Sequence, residues 1–317
     1  MEGKGIEKIR RKESFRSYFR NHKMLYFMTI PMLAYLFFFC YLPLWGISLG
    51  FREYFPGMPL FPWQGEIQWV GLKYFITMFQ KVYTGRAFAN TIIISLLITV
   101  AGFVSPIMFA LLVNELRHRG YKKIVQTVSY LPYFISAAVI GGLVHSFLNP
   151  ADGIINQLVV AFGGKSENYL ANPDNFRTIY VIIHIWQTFG WGSILYLANI
   201  SSINPELYES AYVDGGGRWQ SMWHITLPGI KPTMFILLIL SMGGVLGGGN
   251  FEIVNLLYNI SNAPASSTLA VYIYRDGFMK SQFSIMAALS LFSSAVGLAL
   301  TWMVNTINKK ITGFGLW

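Results

Sequence analysis

Glu252, in Gly247-Gly-Gly-Asn-Phe-Glu252, is the one acidic side chain inside a long apolar run, with Asn250 and Asn255 beside it. A second run holds His184, Trp186, Gln187, Trp191 and Tyr196. An ionisable group in such a run is costly and by default marks a functional site. Carboxylate and amide oxygens accept hydrogen bonds and aromatic faces stack on flat C–H surfaces, so this set suits a hydroxyl-rich solute that is held and passed on. A plainer description also fits: the aromatics form interface belts, His184 and Gln187 bond neighbouring helices, and Glu252 faces water at the outer end of its run. Catalysis has no comparable set. The five histidines are scattered, no His-Glu-x-x-His or paired carboxylates occur, and the single cysteine rules out an intramolecular disulfide or thiolate cluster. No Gly-x4-Gly-Lys-Ser/Thr phosphate loop is present, so the chain has no ATPase site of its own.

Membrane-spanning helices are the elements that must position these side chains. Of the 317 residues 54% are hydrophobic and only 12% charged, about half the charged share of an ordinary soluble domain. Roughly 20 uncharged residues cross a hydrocarbon core of about 30 Å. Six segments qualify or nearly do: 25–50, 91–112, 124–148, 179–200, 234–257 and 283–304. The predicted fold class is an all-α polytopic membrane protein with six transmembrane helices. Pro31, Pro43, Pro106, Pro132 and the Gly-rich stretch 243–249 predict kinks. Sixteen of the 24 basic residues lie before the first span, after the second and fourth, and after the sixth, which predicts that both termini are cytoplasmic. The basic run up to Lys23 reads as topology and lipid-headgroup contact rather than nucleic-acid binding. The apolar run after it is too long for a cleavable signal sequence. Cys40, inside that run, is expected to be a buried, inert thiol.

The segment between the fourth and fifth spans reads Asn204-Pro-Glu-Leu-Tyr-Glu-Ser-Ala-Tyr-Val-Asp-Gly-Gly-Gly-Arg-Trp-Gln-Ser-Met-Trp-His-Ile-Thr-Leu-Pro228. Asn204 is a natural N-cap, Pro205 suits the first helical position, and Glu206 complements the helix dipole. Gly215 to Gly217 supply the positive φ that ends this short helix, and a second runs from Arg218 until Pro228 stops it. Tyr208 and Tyr212 fall at i, i+4 spacing on the first helix, and Trp219, Met222 and Trp223 are expected on one side of the second. The product is a helix-turn-helix block with aromatic knobs. From the helices alone, it could equally pack under the bundle.

Glu209-Ser210-Ala211, Gly215, Ile225 and Leu227-Pro228 at these spacings resemble the "EAA" signature of the permease subunits of binding-protein-dependent ABC importers. Ser210 stands where that family usually has its first Ala. Trp69-Val-Gly-Leu-Lys-Tyr-Phe75, Ala89-Asn90-Thr91, Leu131-Pro132 and Leu148-Asn-Pro150 with Gly153 and Asn156 are similar to segments of sugar permeases of the MalF type. The tail Ile311-Thr-Gly-Phe-Gly-Leu-Trp317 resembles the LplB-like branch.

The resemblance implies a type I ABC importer permease fold. It divides the chain into a cytoplasmic basic leader (1–23), a first transmembrane helix with an extracellular loop (24–87), a permease core (88–308) with its coupling helix at 204–228, and a cytoplasmic tail (309–317). It implies that Glu209 pairs with a basic residue of an ATPase, Ala211 allows close approach, Gly215 makes the turn, and Ile225, Leu227 and Pro228 fix the block to span five. Tyr208, Tyr212, Trp219 and Trp223 are the types that anchor such an interface. The implied partners are a second, similar permease, two ATPase subunits that carry ATP and Mg, an extracytoplasmic solute-binding protein and membrane lipid. The implied substrate is an oligosaccharide. Permeases for peptides, amino acids or polyamines share the signature, and a self-contained channel or secondary transporter would leave the signature unexplained.

Overall fold

The computed structural model describes residues 23–242 and 249–313, so most of the basic leader, most of the Gly-rich stretch of span five, and the last four residues lie outside the described residues. What is described is helical, with one isolated antiparallel bridge between Arg52 and Trp69. In chain order come α1 (Lys23–Phe51), α2 (Lys73–Gln80), α3 (Val82–Asn114), α4 (Arg119–Phe134), α5 (Ala137–Phe147), α6 (Ile154–Ala161) and α7 (Pro173–Ser201). Then follow α8 (Glu206–Val213), α9 (Arg218–Gly229), α10 (Lys231–Met242), α11 (Phe251–Leu257), α12 (Ala263–Ser266), α13 (Leu269–Tyr272) and α14 (Phe283–Thr312). Helices α1, α3, α7 and the Phe283–Ile307 part of α14 are each long and apolar enough to cross a membrane. Two bent pairs pass the same test when each is taken as one span, giving four to six.

The expected third and fifth spans are therefore not single rods. α4 and α5 meet at 98°, because Pro132 sits in a tightly wound turn, Leu131–Phe134, and Ser136 starts a new helix by accepting a hydrogen bond from Val139 N at 3.4 Å. In the expected fifth, α10 and α11 are separate helices on either side of residues 243–250. Pro31 and Pro106, by contrast, lie inside helices that continue through them. Cys40 is exposed rather than buried, in a stretch of α1, Lys23 to Tyr41, where no side chain is buried among the described residues.

α3 and α7 run side by side in the same direction. Arg177 Nη2 donates to Asn90 Oδ1 at 3.1 Å at one end, Gly102 faces His184 at mid-length, and Gly192 lies against Pro106 further on. A Cβ on Gly192 would come within 2.9 Å of the Pro106 ring, so a small residue lets the helices approach. α4 reaches α7 in the same way, at Gly190, where a Cβ would stand 2.0 Å from the Ser129 carbonyl oxygen. One apolar cluster, containing Ile94, Ile140, Phe176, Tyr180, Ile253 and Val254, ties α3, α5, α7 and α11 together at one end. A second, with Ile107, Val113, Leu197, Ile200 and Ile230, closes the other end beside the α8–α9 block.

Buried asparagines organise the loops at the first end, where main-chain groups would otherwise go unpaired. Asn262, fully buried, donates to the carbonyls of Leu170 (2.8 Å) and Leu257 (2.9 Å) and accepts from Asn259 N and Ser266 Oγ. Asn156 donates to the carbonyls of Leu148, Asn149 and Glu167, which explains why it accompanies the Leu148-Asn-Pro150 turn.

Candidate functional site

A cavity of about 1010 Å³ opens between α3, α7, α10, the α4–α5 elbow and the start of α11. Of the residues expected on a solute pathway, His184, Gln187, Trp191, Tyr196, Asn250 and Glu252 line it. Two do not. Trp186 is on the exposed face of α7, one helical position away from the lining residues, and Asn255 is occupied by Arg275, whose Nε donates to its Oδ1 at 2.9 Å. Arg275 also stacks on the Tyr258 ring at 4.1 Å.

Local chemistry sets each wall. Asn250 caps α11, its Oδ1 accepting from Glu252 N (3.0 Å) and Ile253 N (3.3 Å), so the cap and the carboxylate stand side by side at the cavity. Trp191 is stacked on Tyr133 with centroids 4.9 Å apart and planes 7° from parallel, and Phe134 meets it edge-on at 5.3 Å. The Trp face is thereby held rigid, as a stacking platform needs to be. Small polar groups (Ser95, Thr99, Thr188 and Ser241) complete a lining with one carboxylate and no Lys or Arg among the described residues.

Tyr133 and Gly249, both at the cavity, were not legible as site residues. Tyr133 follows Leu131-Pro132 directly, and reading that Pro as an elbow rather than a kink would have placed it. Gly249 has φ +88°, and a Gly-rich run inside a span is the signal for such a turn.

At the opposite end the 204–230 block forms the expected helix-turn-helix. Asn204 Oδ1 accepts from Glu206 N at 3.1 Å and its carbonyl from Leu207 N at 3.2 Å. Gly215 takes φ +80° and Gly216 N donates to the Ala211 carbonyl at 2.7 Å, closing α8, while Gln220 Oε1 accepts from Gly217 N at 2.7 Å and opens α9. Tyr208 and Thr226 share a hydrogen bond of 2.9 Å that clamps the two helices. Glu209, Ser210, Tyr212, Trp219 and Trp223 are exposed, Ala211 and Ile225 half-buried, with Tyr212 81% accessible. Met222 departs from the expected grouping with the two tryptophans, being buried under the block. Nor does Pro228 stop α9. The wide-turned segment Met222–Thr226 ahead of it absorbs the missing N–H, α9 continues to Gly229, and the chain then bends by 56° into α10.

The family described as "Binding-protein-dependent transport system inner membrane component" matches residues 102–313, which include most of the cavity lining and the exposed block. The chain belongs to this family of membrane permeases. Within it, the polygalacturonan/rhamnogalacturonan transport system permease protein YteP of Bacillus subtilis (strain 168) is 40% identical over 295 residues, covering 93% of this chain and 90% of that one. Protein LplB of the same organism is 37% identical over 314 residues, 99% of this chain and 95% of its own length. Among solved structures, a chain of a bacterial alginate ABC transporter, in complex with an alginate pentasaccharide-bound periplasmic protein, is 36% identical and superposes with a TM-score of 0.86 over 96% of this chain and 100% of that one. An ABC permease architecture thus accounts for the bent spans that hydropathy alone merges into rods.

Proposed function

We propose that this chain is a transmembrane permease subunit of an ATP-driven oligosaccharide importer, forming half of the translocation pathway. The observation that carries the reading is the cavity, in which a carboxylate, two amides and a stacked Trp/Tyr pair converge between α3, α7 and α11. Hydroxyls pair with the amide and carboxylate groups, and a pyranose C–H face lies on Trp191. YteP is named for polygalacturonan/rhamnogalacturonan transport and the solved transporter for alginate, which favours this class over peptides, amino acids or polyamines.

In this reading α4–α5 and α10–α11 each form one bent span, giving six with both termini cytoplasmic and the basic leader and tail on that side. The exposed α8–α9 block is the coupling helix. Glu209 orients it against a separate ATPase, Gly215 supplies its turn, and Ile225, Leu227 and Pro228 join it to α10, so that ATPase closure moves α10 and the cavity wall. The partners are a second permease, two ATPase subunits holding ATP and Mg, and a solute-binding protein in complex with its sugar.

Uptake by the complete importer tests this. Glu252→Gln and Trp191→Ala slow uptake or change the range of oligosaccharides accepted, while Trp186→Ala, outside the cavity, changes neither. Unaltered rate and range in both cavity variants contradict the pathway assignment.

A further inference from the structure

The cavity wall at the start of α11 is tied to α7 by a side chain that does not line the cavity. Tyr180 is 1% exposed, within the cluster that includes Ile253 and Val254, and lies along α7 between Phe176, on which it stacks, and the tilted His184 ring. Its hydroxyl accepts the Asn250 main-chain N–H at 2.7 Å. Gly249, at φ +88°, turns the chain into that contact, and a Cβ on it would stand 2.2 Å from the Tyr180 oxygen and 2.8 Å from Cζ. One residue later the Asn250 cap starts α11 and sets Glu252. A phenylalanine would fill almost the same volume in this apolar cluster, and a hydroxyl there costs free energy unless it is paired. The oxygen thus serves the turn rather than the packing.

We propose that Tyr180 is a positioning residue for the solute pathway: its hydroxyl clamps the Gly249–Asn250 turn and so holds the side chains of Asn250 and Glu252 in register with α7. The consequence for transport rests on the cavity being the pathway; the clamp itself does not.

The test uses the complete importer in lipid nanodiscs with Cys40→Ser and Glu252→Cys, probed by the reaction rate of a charged methanethiosulfonate reagent and by the mobility of a nitroxide label at position 252. Adding Tyr180→Phe leaves the Asn250 N–H without its partner and is expected to speed the reaction about tenfold and to mobilise the label. The same change beside Trp186→Cys, on the exposed face of α7, leaves its reactivity unaltered. An unchanged rate at 252, or equal acceleration at 186, overturns the proposal. Gly249→Ala supplies a second arm: its effect at 252 is large beside Tyr180 and smaller with Tyr180→Phe, where the clashing oxygen is gone. Equal effects in both backgrounds also overturn it. Failure of the pathway reading shows separately, as uptake indifferent to Glu252→Gln while the clamp signals persist.

Discussion

Gly190→Ala is the sharpest perturbation of the scaffold beneath the cavity. The added methyl would stand 2.0 Å from the Ser129 carbonyl oxygen and 2.5 Å from its carbon, both backbone atoms of α4 that no rotamer change can move. Relief requires α4 and α7 to part by roughly 1.5 Å, as a carbon–oxygen contact settles near the ~3.5 Å of ordinary van der Waals packing. Overpacking of this kind costs about 1–3 kcal/mol, against a gain of up to about 1 kcal/mol from replacing a helical glycine by alanine. Two backbone contacts this short put the cost at about 2–3 kcal/mol, which leaves a net loss of about 1–2 kcal/mol. At roughly 2–4 °C per kcal/mol, thermal unfolding of the purified protein in nanodiscs should fall by about 2–8 °C. Separation at Gly190 also moves Tyr133 off Trp191, so uptake should fall with stability. Gly142→Ala, on α5 with open space around its Cβ position, is the control and should leave the midpoint unchanged or slightly raised. A Gly190→Ala protein as stable as the wild type would refute the close approach of α4 and α7.

Three further outcomes follow from the geometry. Glu209→Lys and Gly215→Asp should insert normally but lose substrate-stimulated ATP hydrolysis in the reconstituted importer; wild-type stimulation in both would sink the coupling assignment. Tyr133→Ala and Trp191→Ala should each slow uptake, and together should cost less than the sum of the two, because the rings form one stack worth about 0.5–1.5 kcal/mol. Asn262→Ala strips four hydrogen bonds from a fully buried node and should destabilise by about 2–4 kcal/mol, read as a larger fall in thermal midpoint than Asn259→Ala gives; equal midpoints would show that the node carries no such weight.

Much of the helical-turn chemistry was legible in the residues. Asn204, Gly215 and the aromatic knobs act locally, over one or two turns, and local rules placed them. Hydropathy also found the apolar segments, but it sums composition along the chain and carries no direction. It therefore merged α4 with α5 across a 98° elbow and α10 with α11 across the turn at Gly249. Pro132 and Pro106 look alike in sequence, yet one ends a helix and the other is absorbed, because Ser136 offers a new cap after the first and Gly192 makes room beside the second. Pro228 misled for a related reason: the widened turns before it remove the hydrogen bond it would have broken. Six of eight expected pathway residues meet at one cavity, since i, i+3 and i+4 spacing puts His184, Gln187 and Trp191 on one face of α7 and leaves Trp186 off it. Tyr180 gave no signal, as a tyrosine within an apolar stripe is indistinguishable from core until its hydroxyl partner is known.

In the proposed importer the 204–230 block passes the work of a separate ATPase to a sugar pathway in this chain. The most direct measurement is ATP hydrolysis by the importer purified through this chain together with its neighbouring-frame partners, with and without the sugar-loaded binding protein. A second permease and an ATPase should co-purify, and hydrolysis should rise with the loaded binding protein in the wild type but not in Glu209→Lys. Transport by this chain alone, without an ATPase partner, would contradict it.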